Sequence, residues 1–211
     1  MKSNKVLEMI NNGQIEELKA ALQDEIYNDM LKVRPGAKQR YSAMKKYFSY
    51  IKSAREVCQK PALLIYEGKT YTSFCNSFSL ALTTEPCGAI ELFTDKNRYP
   101  NMSRLVKCEG VEGTIDIPKV LAEAKSKGYK LKQSEVNSNN YLMFYDGAYF
   151  RIGLFEATYA IIDNGEKVKV YHSGGTGASP ITIENSIGYC VIMPVRYEAE
   201  PDDGVVIIDA N

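Results

Sequence analysis

The chain has 211 residues, of which 45% are hydrophobic and 25% charged, and its 26 basic and 26 acidic side chains cancel to a formal net charge of zero. This composition is typical of a globular protein and excludes a uniformly basic nucleic-acid binder, although a local basic stripe is compatible with it. No apolar run approaches the ~20 residues of a membrane helix, and the first residues are too polar for a secretory signal. We therefore expect a cytoplasmic protein with no membrane partner.

Residues 4–33 are predicted to be helical, with a break at Asn11-Asn12-Gly13. One face of the longer helix is marked by apolar residues at three- and four-residue steps: Ile15, Leu18, Leu22, Ile26 and Met30. Arg34-Pro35-Gly36 is expected to end the helix. Residues 1–35 are thus predicted to form an N-terminal helical extension to the main fold.

A second helix is predicted from Lys38 to Cys58, with a buried face of Met44, Phe48, Ile51 and Ala54. Its opposite side is basic. Lys38, Lys45 and Lys52 are seven residues apart and nearly aligned, and this stripe is flanked by Lys46 and Arg55.

Period-two patterns predict three antiparallel strands at 62–66, 70–75 and 78–82. Residues 95–113 are expected to be irregular, and a third helix begins near Ile115 with Asp116 as N-cap and ends at Gly128. The polar stretch 133–140 is predicted to be a loop.

The remaining chain predicts a hairpin around Asp146-Gly147, a short helix at 154–163, and strands at 167–172, 180–184 and 189–195. The tail 199–211 is acidic, with an apolar patch at 205–208 that suits a last edge strand. The predicted fold class is α+β, with antiparallel sheets and helices packed on one face.

No residue pattern supports a catalytic or metal centre. His172 is the only histidine, and a structural role at a strand edge is favoured over catalysis. The glycines of 174–177 lack the spacing of a phosphate loop. The five cysteines form no Cys-x-x-Cys pair, and Asp116, Asp146 and Asp163 lack metal-ligand spacing, so we expect no metal and no cofactor.

Two stretches resemble a known family. Ser179-Pro-Ile-Thr-Ile-Glu184 and Val191-Ile-Met-Pro-Val-Arg196, with the elements before them, resemble the end of the last domain of bacterial DNA polymerase III beta subunits, the sliding clamps. Residues 63–81 and the linker Tyr99-Pro-Asn-Met-Ser-Arg-Leu105 resemble the clamp middle domain, with Cys75-Asn76-Ser77 replacing the family's Thr-Asp-Gly. The resemblance implies a DNA-clamp-like domain at 36–198 with an insertion at about 86–140.

The resemblance also implies two binding surfaces. A pocket for polymerase or clamp-loader peptides would use Leu80, Pro100, Arg104, Leu105, Val191 and Met193. Duplex DNA would be contacted by Lys38, Lys45, Lys46, Lys52 and Arg55, through sequence-independent phosphate contacts.

Clamp rings contain six similar domains, whereas this chain has sequence for little more than one. The first hypothesis is therefore a non-catalytic, clamp-like DNA replication and processivity protein, as a possible homo-oligomer. Two alternatives stay open: an interaction adaptor of clamp-like fold that does not encircle DNA, and an enzyme with chemistry that no motif identifies.

Overall fold

The computed structural model describes residues 3–51, 56–88, 90–95, 98–100, 102–172, 179–198 and 204–211. The helices in this part of the chain are α1 (Ser3–Asn11), α2 (Ile15–Val33), α3 (Ala37–Tyr50), α4 (Ile117–Ser126), α5 (Gln133–Val136) and α6 (Ile152–Tyr159). The strands are β1 (Ala62–Tyr66), β2 (Lys69–Cys75), β3 (Ser79–Thr83), β4 (Val111–Gly113), β5 (Tyr141–Tyr145), β6 (Ala148–Arg151), β7 (Lys169–His172), β8 (Ile181–Asn185), β9 (Gly188–Ile192) and β10 (Val206–Asp209). No helix among them is long and apolar enough to cross a membrane.

The strands form two sheets, and the predicted α+β class with antiparallel sheets is confirmed. The larger sheet has the order β1-β2-β3-β9-β8-β7-β4, and every pair in it is antiparallel. The smaller sheet has the order β10-β5-β6, with β10 parallel to β5. Helix α6 contacts strands of both sheets and is buried between them.

The larger sheet contains an internal repeat that sequence inspection missed. Ala62 pairs with Ser73 in the first half, and Tyr171 pairs with Thr182 in the second, so both partners are displaced by 109 positions (171 − 62 and 182 − 73). The next strand pairs obey the same displacement, since Cys75 faces Leu80 and Glu184 faces Tyr189. Helix α3 with β1–β3 and helix α6 with β7–β9 are therefore equivalent units, termed here the first and second repeats.

The two repeats meet at β3 and β9, where Ala81 faces Cys190, its own equivalent at a displacement of 109. The turn before each of these strands is built alike. The Asn76 Oδ1 accepts hydrogen bonds from the backbone N–H groups of residues 78 and 79, and the Asn185 Oδ1 accepts them from residues 187 and 188. The Asn-Ser pair shared by positions 76–77 and 185–186 is a local sequence sign of the repeat.

Successive side chains of a strand point to opposite faces of the sheet, and both faces of the larger sheet are apolar at its centre. Ala81, Cys190 and Ile192 face the helices and form part of the helix-side core. Leu80 and Val191 point the other way into a second cluster, the outer core, which includes Tyr99. Both faces of the sheet centre are thus buried, one under helices and one under the segment that follows β3.

Three local predictions were wrong. The helix predicted to reach Cys58 ends at Tyr50, and a 3₁₀ turn forms at Glu56–Cys58. The loop predicted at 133–140 contains α5, whose Val136 is fully buried. The region predicted to be irregular contains β4, which has only three residues and so too short a pattern to detect.

Other local predictions are confirmed. The helical region breaks after Asn11, and the hairpin forms around Asp146-Gly147 with both residues at positive φ. Asp116 caps α4 by accepting a hydrogen bond from the Lys119 backbone N–H at 3.0 Å. The apolar patch of the tail forms β10, which is the edge strand of the smaller sheet.

Candidate functional site: an apolar cleft at the open edge of the sheet

A cleft of about 600 Å³ runs along the free edge of β1, at the end of the larger sheet that belongs to the first repeat. One wall is β1 itself, and the other is the chain that follows β3. The lining is mostly apolar: Ala62, Leu63, Leu64, Ile65, Thr70, Leu92, Phe93, Thr94, Tyr99, Pro100 and Ser103. We call this feature the β1 cleft.

The far wall is attached to the start of β1 by backbone contacts. The Phe93 backbone N–H donates to the Pro61 carbonyl at 2.7 Å, and Phe93 forms a single parallel bridge with Ala62. Within the described residues, no strand pairs with this edge beyond Ala62. The backbone polar groups on that side of Leu63–Tyr66 therefore remain available to another extended chain.

Tyr99 fixes the position of Pro100 in the cleft. Its hydroxyl lies 3.2 Å from the Cys75 Sγ and 3.3 Å from the Ser73 Oγ on β2. Its ring packs against Phe93, with ring centroids 5.9 Å apart. Burial, reinforced by the nearby Cys75, raises the pKa of the Tyr99 phenol well above its ordinary value, so the hydroxyl keeps its proton and remains a donor.

The apolar side chains at the open edge are unusually exposed. Leu64 and Tyr66 pack against the outer core, so Leu63 and Ile65 point to the opposite face of the sheet. They are 47% and 71% exposed. An open strand edge with exposed apolar side chains is a typical place for another chain to bind.

The structure brings together only some of the predicted peptide-binding residues. Pro100 lines the cleft, whereas Leu80 and Val191 face each other on β3 and β9 and lie in the outer core with Tyr99. Arg104 and Leu105 are exposed on the 3₁₀ turn Met102–Leu105, which contacts β1, but neither of the two residues lines the cleft.

Met193 lies apart from the cleft lining. Its backbone N–H donates to the Phe78 carbonyl at 2.9 Å, just before β3, and its side chain is half-buried. Sequence reasoning missed the residues that open the cleft, Leu63, Ile65 and Phe93. The alternation in β1 identified a strand, but it did not show that the strand lies at an edge.

The predicted basic surface lies on α3. Lys38, Lys45 and Lys46 are exposed, and the fourteen residues of the helix include no Asp or Glu. The Lys45 Nζ lies 4.5 Å from the centre of the Tyr41 ring, which limits its freedom. The other two predicted DNA-contacting residues, Lys52 and Arg55, lie outside the described residues.

The equivalent helix of the second repeat has a different character. Helix α6 has the sequence IGLFEATY and contains no Lys or Arg, and all its residues except Glu156 are buried. Helices α3, α4 and α5 all contact it. Only one helix of the pair therefore presents cations to solvent.

His172 lies at the end of β7, within the predicted strand, and is buried. It is 2% exposed, its Nδ1 lies 2.7 Å from the Asp146 Oδ2, and its Nε2 lies 3.2 Å from the Ser179 carbonyl oxygen. These contacts connect β7 to the hairpin turn of the smaller sheet.

Comparisons with protein-family models, with curated proteins and with solved structures gave no match to this chain.

Proposed function

We propose that this chain is a non-catalytic, clamp-like binding protein that holds an extended, apolar peptide segment of a partner protein in the β1 cleft. The observation that carries this proposal is the edge of β1, where the described residues leave backbone groups beyond Ala62 unpaired and the exposed Leu63 and Ile65 border an apolar cleft. The function is that of an adaptor.

The chemistry of the cleft favours an extended peptide as the ligand. A peptide strand added to β1 would satisfy backbone donors and acceptors along the edge, and alternate side chains would enter the apolar cleft. A volume of about 600 Å³ is within the usual range for ligand sites. Thr70, Thr94 and Ser103 supply neutral polar groups, so the favoured peptide is apolar with little charge at its centre.

The sequence resemblance supports the same class of ligand. In sliding clamps, the segments equivalent to 99–105 and 191–196 form the pocket for polymerase and clamp-loader peptides. Here Pro100 lines the cleft, and Leu80 and Val191 support it from the outer core. A replication partner with a peptide of this kind is thus the first candidate ligand.

A second candidate function is duplex DNA binding by α3. It is favoured by three exposed lysines on a helix without carboxylates. Such contacts are electrostatic and independent of sequence. DNA is the weaker candidate because the helix of the second repeat is buried and has no cation, so a DNA surface built from both helices is lacking in this pair.

A peptide-binding experiment tests the proposal. The probe is a fluorescein-labelled peptide with the clamp-binding motif of a bacterial DNA polymerase III, and anisotropy is measured against increasing concentrations of the full chain. We expect saturable binding that is weakened at least tenfold by Leu63→Glu or Ile65→Glu, since each places a charge at the apolar edge.

The control variant is Leu7→Glu, which makes the same chemical change at an exposed apolar residue of α1. It should leave the affinity unchanged, and a scrambled peptide should not bind. Absence of saturable binding, or equal affinities for Leu63→Glu, Ile65→Glu and Leu7→Glu, would contradict peptide binding at the β1 cleft.

A further inference from the structure

Helix α2 exposes the apolar stripe that its sequence periodicity predicts. Six apolar residues follow one face along the helix, and only Leu18 among them is buried. The others have exposed fractions that are high for large apolar side chains: Ile15 44%, Leu22 40%, Ile26 63%, Met30 40% and Val33 79%. Such a continuous apolar surface on a monomer typically marks an interface.

The other side of α2 holds the helix in place. Tyr27 and Leu31 are buried against Ala37 and Tyr41, and the Tyr27 hydroxyl donates to the Pro86 carbonyl. At 100° per residue, Tyr27 and Leu31 project away from the stripe that begins at Ile15. Helix α2 is thus anchored to the fold through one side with its apolar stripe directed outward.

The stripe has the dimensions of a helix–helix interface. Nineteen residues span about 28 Å, and α1 packs beside α2 with its own exposed Leu7 and Ile10. A standard interface buries roughly 800 Å² per partner, and the exposed apolar side chains of α2 would contribute to such an area.

The sequence of α2 is complementary to itself in the antiparallel direction. If two copies of the helix align antiparallel about position 24, Ile15 lies opposite Val33 and Leu22 lies opposite Ile26. The same alignment sets the exposed Lys19 opposite the exposed Asp29, and their ion-pair partners within the helix, Glu16 and Lys32, also fall opposite each other. In a parallel alignment, Lys19 of one helix would instead lie opposite Lys19 of the other, so that like charges would be close together.

We infer that the occupant of this stripe is a second copy of the chain, and that two α2 helices pair antiparallel as a two-fold symmetric dimer. A two-fold contact uses the same patch on both copies, which the alignment about position 24 provides. This dimer is independent of the peptide proposed for the β1 cleft, because none of the residues that line that cleft lies on α1 or α2.

The first test is the mass of the full chain in solution, measured by sedimentation equilibrium over a range of concentrations. The expected mass is twice the chain mass of 23.6 kDa. The double variant Leu22→Glu/Ile26→Glu should have the mass of one chain with unchanged circular dichroism, because both residues are exposed in the single chain. Leu63→Glu, at the edge of β1, is the control and should remain dimeric.

The second test addresses the antiparallel alignment. Lys19→Asp alone and Asp29→Lys alone each place like charges opposite one another, and each should weaken self-association about tenfold. A mixture of the two variants should restore association as a heterodimer, since every facing pair is then of opposite charge. Native mass spectrometry measures the share of heterodimer.

The inference is overturned by a monomeric wild-type chain, by a dimer that survives Leu22→Glu/Ile26→Glu, or by a dimer that Leu63→Glu dissociates. A mixture of the two charge variants that shows no preference for the heterodimer would overturn the antiparallel pairing.

Discussion

The two repeats share strand registers and turn chemistry but differ in what covers them. In the first repeat, no strand in the described part of the chain pairs with β1 beyond Ala62, and α3 exposes three lysines. In the second repeat, the corresponding edge strand, β7, pairs with β4, and α6 is buried beneath other helices. The same unit therefore forms a surface in one half and part of the core in the other.

The chain between the repeats accounts for this difference. It supplies β4, which pairs with β7, and α4 and α5, which contact α6. On the first repeat the same connection forms one backbone bridge at Phe93, and its other described residues line the cleft beside β1 without pairing with it as a strand. The β1 cleft and the exposed lysines of α3 thus both lie on the repeat that the connection covers least.

The largest expected effect comes from the buried charge pair between Arg40 and Glu85. Arg40 on α3 is buried, and its guanidinium contacts the Glu85 carboxylate at 3.3 Å and the Asp163 carbonyl oxygen at 3.1 Å, after the end of α6. Glu85→Ala leaves this cation buried without its partner, and we expect a decrease of about 3–5 kcal/mol in the free energy of unfolding. Urea denaturation measures it.

The matched control is Glu91→Ala. Glu91 is also paired, at 2.6 Å from the Lys60 Nζ, but its side chain is 77% exposed. Glu91→Ala should therefore change the free energy of unfolding by no more than about 0.5 kcal/mol. Equal effects of the two substitutions would mean that the buried Arg40–Glu85 pair stabilises the fold no more than the exposed Lys60–Glu91 pair.

A smaller, matched pair of effects is expected at the two asparagine turns. Asn76→Ala and Asn185→Ala each remove the acceptor of two backbone N–H groups. Each substitution should therefore lower the free energy of unfolding by about 1–3 kcal/mol. Thermal unfolding of the two variants measures these losses of stability. If one substitution proves neutral, the turns do not play equivalent parts in the two repeats.

Local structure was largely predictable from the sequence, and tertiary placement was not. The period-two runs identified β1, and Asp116 identified the start of α4, because both signals depend on neighbouring residues. The basic face of α3 was also evident, since Lys38 and Lys45 align on one side of a helix.

The cleft could not be predicted because it depends on which strand lies at an edge. Leu63 and Ile65 have the apolar character of buried strand residues, and only the position of β1 in the sheet exposes them. The resemblance to clamps selected Leu80 and Val191, which support the cleft from beneath, and Met193, which lies elsewhere.

The smallest effect on stability is expected on the basic face of α3. The triple variant Lys38→Gln/Lys45→Gln/Lys46→Gln should change the free energy of unfolding by less than about 0.5 kcal/mol per site, because all three side chains are exposed. If α3 binds duplex DNA, the slope of log affinity against log salt should fall in magnitude by about 0.9 for each phosphate that the variant no longer neutralises. An unchanged salt slope would exclude these lysines from DNA binding.

Hydrogen–deuterium exchange of the full chain, with and without the clamp-binding peptide, tests the central claim most directly. An added strand would protect backbone amides at the edge of β1, so exchange should slow in residues 62–66 and 92–95 while residues 188–192 stay unchanged. Unaltered exchange in β1 at saturating peptide, or protection confined to the second repeat, would contradict the account.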